Sequence, residues 1–237
     1  MFIVKKKSII AFVLVLTFVA FLLCFGFIIK TSAEDGNSMG YKIVIDAGHG
    51  GIDAGVSGVK TGVKESELNL KVTKKLEKYL VDAGFSVVLT RKTDAGLYGV
   101  ATSNLKRKDM LKRKEIILEE KPTLVISIHM NKYSVSTRRG AQVFYKSGDE
   151  FGKILAHSIQ NNFNLMESAS RECSALVGDY YILNCSSYPS VIAECGFLSN
   201  PEDEALLIQD EYQNELAYTI FKGIIEYFSQ CSFKFCY

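Results

Sequence analysis

Proline is scarce, with three residues in 237, and charged residues make up only 23% of the chain while 48% are hydrophobic. That balance excludes a disordered or low-complexity protein, which lacks the apolar surface to offset the entropy of ordering. No C-x-x-C pair occurs among the six cysteines, which excludes a zinc ribbon and a thioredoxin-type redox motif. No G-x-S-x-G elbow occurs either, which argues against a serine hydrolase of the α/β type. Positive charge is in surplus only at the N-terminus. The first 30 residues hold four lysines and no acid, and the remainder holds 24 basic and 26 acidic residues, a net of −2. A domain so near neutrality carries no electrostatic footprint for nucleic acid, so none is expected as a partner.

The N-terminal lysines precede a long apolar run. Lys5-Lys6-Lys7 is followed by 22 uncharged residues, Ser8 to Ile29. As a helix this run is about 33 Å long, enough to cross a hydrocarbon core of about 30 Å. The lysines predict that this end stays cytoplasmic and that the rest is exported. The run exceeds the usual length of a signal-peptide apolar region, and Lys30 separates it from the small residues Thr31-Ser32-Ala33. Residues 1–30 are therefore expected to be an uncleaved membrane anchor, with cleavage near Ala33 as the alternative. Residues 31–40 read as a linker, 41–230 as one domain and 231–237 as a tail. Export permits disulfides, and Cys231 and Cys236 are close enough in sequence to pair, although two unpaired cysteines are an equally good reading.

Within the domain, short apolar runs alternate with helical periodicities. Strands are expected at 42–46, 85–89, 123–128, 141–145, 180–183 and 190–193. Helices are expected from Glu65 to a stop at Gly84, and at 103–120, 149–163, 203–209 and 211–229. Six glycines between Gly48 and Gly62 mark a loop. The alternation predicts an α/β fold with a mainly parallel sheet covered by helices.

The sequence has three histidines, and two of them end strands: His49 follows KIVID in DAGHGG, and His129 ends TLVISI in SIHMN. Ligand sites in open α/β sheets gather beyond the carboxyl ends of strands, so these two can converge. Two histidines and one carboxylate are a common catalytic zinc set. Glu65 and Glu67, at the start of the first long helix, are both within reach as the carboxylate. Both also suit the helix dipole without any metal. Glu194 ends the apolar strand SVIA in VIAECGF, where a lone carboxylate is a candidate general base. His157 sits outside every motif on an amphipathic helix and is expected to be structural.

Six segments together carry a resemblance: IVIDAGHGGIDAG (43–55), GVKESELNL (62–70), VVLTRKTD (87–94), LVISIHMN (124–131), GAQVFY (140–145) and VIAECGFLSNPED (191–203). In this order they resemble the zinc-dependent N-acetylmuramoyl-L-alanine amidases of the type-3 family, over about residues 41–230. The resemblance implies a mixed six-stranded sheet and one zinc ion (Zn2+) held by His49, Glu65 and His129. It makes Glu67 a bystander and Glu194 the catalytic glutamate. Arg91 and Arg113 match arginines common in that family, with ion pairing and substrate contact as equal expectations. The implied substrate is peptidoglycan, cleaved at the amide between N-acetylmuramic acid and L-alanine. The short, anchored layout is similar to amidases of spore-forming Gram-positive bacteria that remove stem peptides when muramic-δ-lactam is made in the spore cortex. It leaves room for an accessory or activating protein. Met130, where small residues are usual, and Cys195, beside Glu194, depart from the pattern without replacing a ligand.

Rival classes follow from the same residues. Cys195 at a strand end paired with His129 would make a cysteine hydrolase. A membrane-tethered wall-binding protein without catalysis would tolerate loss of Glu194. A dinucleotide loop is disfavoured, because Asp53 stands where the third glycine should be and no helix starts there.

Overall fold

The computed structural model describes residues 40–169 and 171–234. The expected membrane anchor, nearly all of the linker, and Cys236 lie outside the described residues. Among the described residues, no helix is long and apolar enough to cross a membrane.

Six strands form one sheet: β1 (Lys42–Ala47), β2 (Ser86–Leu89), β3 (Leu124–Asn131), β4 (Gln142–Tyr145), β5 (Leu176–Val177) and β6 (Ser190–Phe197). Their order is β2-β1-β3-β6-β4-β5. The first four in that order run parallel, and β4 pairs antiparallel with β6. The central strands are buried on both faces, which is why they read as nearly continuous apolar runs. The chain between them forms α1 (Glu65–Asp82), α2 (Leu105–Glu120), α3 (Glu150–Asn164), α4 (Tyr181–Asn184), α5 (Pro201–Leu207) and α6 (Asp210–Lys234).

The period-2 alternation of the strands divides the core into two unequal parts. Ile43, Ile45, Ile126, Ile128, Ala193 and Cys195 face the thick side. There they meet Leu68, Val72, Leu76 and Leu80 of α1, Leu155 and Ile159 of α3, and Leu216, Ile220 and Ile224 of α6. Val44, Val125 and Ile192 face the thin side, covered by Ile117 of α2 and Ile182 and Leu183 of α4. The inward stripe of α2 is mostly polar: Asp109, Arg113 and Ile117 are its buried residues, and Leu111 is exposed. This helix therefore carries charge to the sheet.

Several expected elements shift. The strand expected at 180–183 is the single turn α4, with Tyr180 as its N-cap residue. A four-residue apolar run fits either period, and here Ile182 and Leu183 are buried by turning inward together. Strand β5 gave no signal because it has two residues and both are exposed. Strands β3 and β6 continue past the expected ends at Ile128 and Ala193, so His129 and Glu194 lie inside strands. Helix α5 starts two residues early, because Asn200 caps it by accepting from the backbone of Glu202 and Asp203, with Pro201 next. Helix α6 runs past residue 230, and Cys231 is buried on it.

Candidate metal centre

Three turns of chain converge at the carboxyl edge of the parallel strands. In the first, β1 ends in Asp46-Ala47 and the glycine loop begins. His49 adopts a left-handed backbone (φ 61°), unusual for a bulky side chain. Two buried arginines hold this loop. Arg91 donates to the carbonyls of Ala47 and Gly48, each at 2.9 Å, and Arg113 donates to those of Ala47 (2.8 Å) and His49 (2.6 Å). Both arginines left open by the sequence are thus loop anchors.

Arg113 is itself paired with Asp46 and, at 2.6 Å, with Asp109. Burial pushes the Asp46 carboxyl up, but Arg113 and the hydroxyls of Ser127 and Thr90 outweigh it and hold the pKa at about 2. Asp46 therefore stays ionised beneath the site. Removing one member of such a buried pair typically costs about 3–5 kcal/mol.

The second turn brings Glu65 from the start of α1. Its Oε1 lies 3.2 Å from Nε2 of His49 and 2.9 Å from Nδ1 of His129. Its position is fixed by backbone donors, Val56 to Oε2 at 2.9 Å and Met130 to Oε1 at 3.2 Å, and by the Asn69 amide at 3.3 Å. Burial opposes its charge, yet the two histidines hold the carboxyl well below the usual range. Glu67 takes no part: its side chain is 44% exposed and lies 3.9 Å from Lys64. The space is tight. A Cβ on Gly48 would lie 2.2–2.7 Å from three ring atoms of His129. One on Gly55 (φ 69°) would lie 2.3 Å from Glu65 Oε2.

The third turn is the edge of β3 and β6, where His129 and Glu194 are register partners on adjacent parallel strands. Partners in register project to the same face, so Glu194 stands beside His129 on the thin side. One oxygen, Oε2, is buried without a hydrogen-bond partner. Burial is the main cause that pushes the Glu194 carboxyl up to about 7, and the Glu65 charge adds to it. The next residue, Cys195, points the other way into the thick core, and burial drives its thiol pKa far up. The Cys195–His129 dyad is therefore ruled out by strand alternation.

His49, Glu65 and His129 offer ligand atoms all within 4.8 Å of one another. Ligands about 2.0–2.2 Å from a tetrahedral ion lie roughly 3.3 Å apart, so the 3.2 and 2.9 Å contacts leave these donors little movement to hold one. Sequence reasoning missed Asp53, whose Oδ2 lies 3.0 Å from Nδ1 of His49 and 3.6 Å from Lys106. By accepting from Nδ1–H it leaves Nε2 free to face Glu65 and His129. The i,i+4 spacing across a glycine loop carried no helical signal that could have flagged it. Burial lowers the pKa of His49, but Glu65 and Asp53 together raise it above its ordinary value. His157, on α3, lies apart, its ring 6.1 Å from Tyr145.

These groups open into a cavity of about 370 Å³, whose lining also includes Met110, Tyr181, Ile182 and Ile192. A family model for N-acetylmuramoyl-L-alanine amidases (Amidase_3) matches residues 43–226. The germination-specific N-acetylmuramoyl-L-alanine amidase of Bacillus subtilis is 31% identical over 198 residues, covering 81% of this chain and 81% of that protein. Among solved structures, the CwlD amidase from Clostridioides difficile in complex with the GerS lipoprotein matches with a TM-score of 0.77 at 34% identity. That match covers 80% of this chain and 98% of CwlD. An N-acetylmuramoyl-L-alanine amidase from Clostridium difficile 630 matches with a TM-score of 0.71 at 27% identity, covering 82% and 98%. The family match runs from β1 into α6 and takes in all three clustered donors and Glu194. The chain therefore belongs to the N-acetylmuramoyl-L-alanine amidase family and is an enzyme that cleaves the amide joining stem peptides to N-acetylmuramic acid in peptidoglycan.

Proposed function

We propose that the amidase is zinc-dependent, with His49, Glu65 and His129 as ligands and Glu194 as the catalytic base. The carrying observation is the pairing of a two-histidine, one-carboxylate cluster with a buried, unpartnered carboxylate oxygen in the same cavity. Zinc in such a site polarises the amide carbonyl and lowers the pKa of a water toward about 7. Glu194 would accept that water's proton and pass it to the leaving L-alanine nitrogen, a role suited to a carboxylate of raised pKa. Asp46 and Arg113, bonded beneath the loop, would keep His49 in place while this happens.

Metal analysis of the purified full chain should give about one zinc per chain. Dialysis against a chelator should abolish release of stem peptides, and added zinc should restore it. Release that continues from metal-free protein would overturn the reading. A narrower probe is Gly48→Ala. Its Cβ collides with the His129 ring without demanding a forbidden backbone, so zinc affinity should fall at least about tenfold, comparable to loss of an outer-shell contact. Competition with a chromogenic chelator would measure it, and unchanged affinity would contradict the packing argument.

The germination-specific relative in Bacillus subtilis supports a role in spore cortex maturation, where stem-peptide removal precedes muramic-δ-lactam formation. We place the domain outside the cytoplasmic membrane, tethered by residues 8–29, within reach of the cortex. The complex of the Clostridioides difficile amidase with a lipoprotein supports an accessory protein here too.

A further inference from the structure

The cavity at the metal centre continues beyond Asn131 and Tyr180. Those two residues also line a second recess of about 210 Å³, whose walls include Arg138, Arg139 and Arg171. The same three arginines line a third recess, of about 470 Å³. The shared walls make one trough, which leaves the histidines over the ends of β3 and β6 and reaches the starts of β4 and β5.

Acidic residues line the metal cavity, whereas the charged residues that line the two outer recesses are all arginines. Arg139 is committed, since it pairs with Glu202 and lies 3.5 Å from Asp203. Arg138 stacks on the Tyr133 ring, 5.3 Å from its centroid. Among the described residues, no ion pair engages Arg138, Arg171 or Lys132, and all three side chains are exposed. Lys132 lines the metal cavity, and both open arginines line the next two recesses, so the cations continue outward from the reacting centre. Guanidinium forks match carboxylates in shape as well as charge, and neutral sugar hydroxyls have no comparable need of them.

The bond that is cleaved separates a neutral glycan from a stem peptide, which carries free carboxylates at its γ-linked glutamate and its C-terminus. We propose that the trough is the stem-peptide subsite, in which Arg138 and Arg171 bind peptide carboxylates and thereby set which side of the amide faces which end of the cavity. This rests on the metal-centre reading of the same cavity.

The test uses the full chain in detergent and two substrates: peptidoglycan as isolated, and the same material with its carboxylates converted to carboxamides by carbodiimide and ammonium chloride. Newly exposed L-alanine amines are counted by mass spectrometry. The double variant Arg138→Gln, Arg171→Gln should raise KM about five- to tenfold on native substrate, with kcat and zinc content kept. On the amidated substrate, variant and wild type should be alike. Equal losses on both substrates would mean a structural role, and no loss on native substrate would mean idle surface arginines; either result overturns the inference. If the wild-type protein exposes no L-alanine amine from either substrate, the parent reading falls and this one with it.

Discussion

Glu194→Gln is expected to keep its zinc and to lose about 10²–10⁴ in the rate of stem-peptide release, the usual loss for a general acid–base group. The substitution preserves size and removes the basic oxygen. That oxygen is buried and unpartnered and faces the cavity that holds His129, its register partner. Burial and the neighbouring Glu65 charge favour the protonated form, whereas a cation among the three donors would favour the carboxylate. Glu194 is thus able both to take a proton and to give it back, and a loss at the high end of the range follows if it serves both transfers. Glu194 is not among the clustered donors, so zinc content should stay at the wild-type level. Zinc lost from the variant would make Glu194 a ligand, and near-normal release would remove it from the mechanism. Cys195→Ala is the matching control. Its thiol points into the thick core, so activity should persist while stability falls by about 1 kcal/mol, as for other small core truncations.

Much of this site could be read from the sequence because strand ends are chemically marked. His49 and His129 each follow an apolar run, and in a parallel sheet both runs point their ends to one edge, so convergence across 80 residues of sequence followed from topology alone. Glu194 was legible for the same reason. The choice between Glu65 and Glu67 came from the family resemblance and not from the residue pattern, since both are first-turn acids, and α1 carries Glu65 to the two histidines. Arg91 and Arg113 were visible as residues but not as anchors, because their partners are mainly backbone carbonyls, which leave no trace in side-chain pattern. Helix α2 was legible as a helix, but its buried face was not, since Asp109 and Arg113 resemble surface charge until Asp46 is seen beneath them. Tyr180 and Tyr181 looked like strand because aromatic residues favour strands, yet tertiary packing of Ile182 and Leu183 decided the turn.

The ligand assignment makes a graded prediction. His49→Ala, His129→Ala and Glu65→Ala should each reduce zinc affinity by more than about 100-fold, beyond the 10–100-fold typical of outer-shell changes, and activity should fall with the metal. Asp53→Ala should fall within that outer-shell range, because Asp53 only orients His49 through Nδ1. Glu67→Ala should change neither zinc nor activity, and stability by no more than about 0.5 kcal/mol, as for an exposed surface residue. The order has a geometric basis. Glu65 Oε1 is the point on which both histidines converge, at 3.2 and 2.9 Å, and the carboxylate is held by two backbone amides, Met130 donating to Oε1 and Val56 to Oε2. Removing Glu65 also leaves the Val56 and Met130 amides without their acceptor, so some loss of stability should accompany the loss of metal. Zinc titration of each purified variant, alongside thermal unfolding without metal, separates the two effects. Zinc kept by Glu65→Ala and lost by Glu67→Ala would reverse the choice of carboxylate. Equal affinities for the Asp53 and His49 variants would instead mean that Asp53 does more than orient the ring.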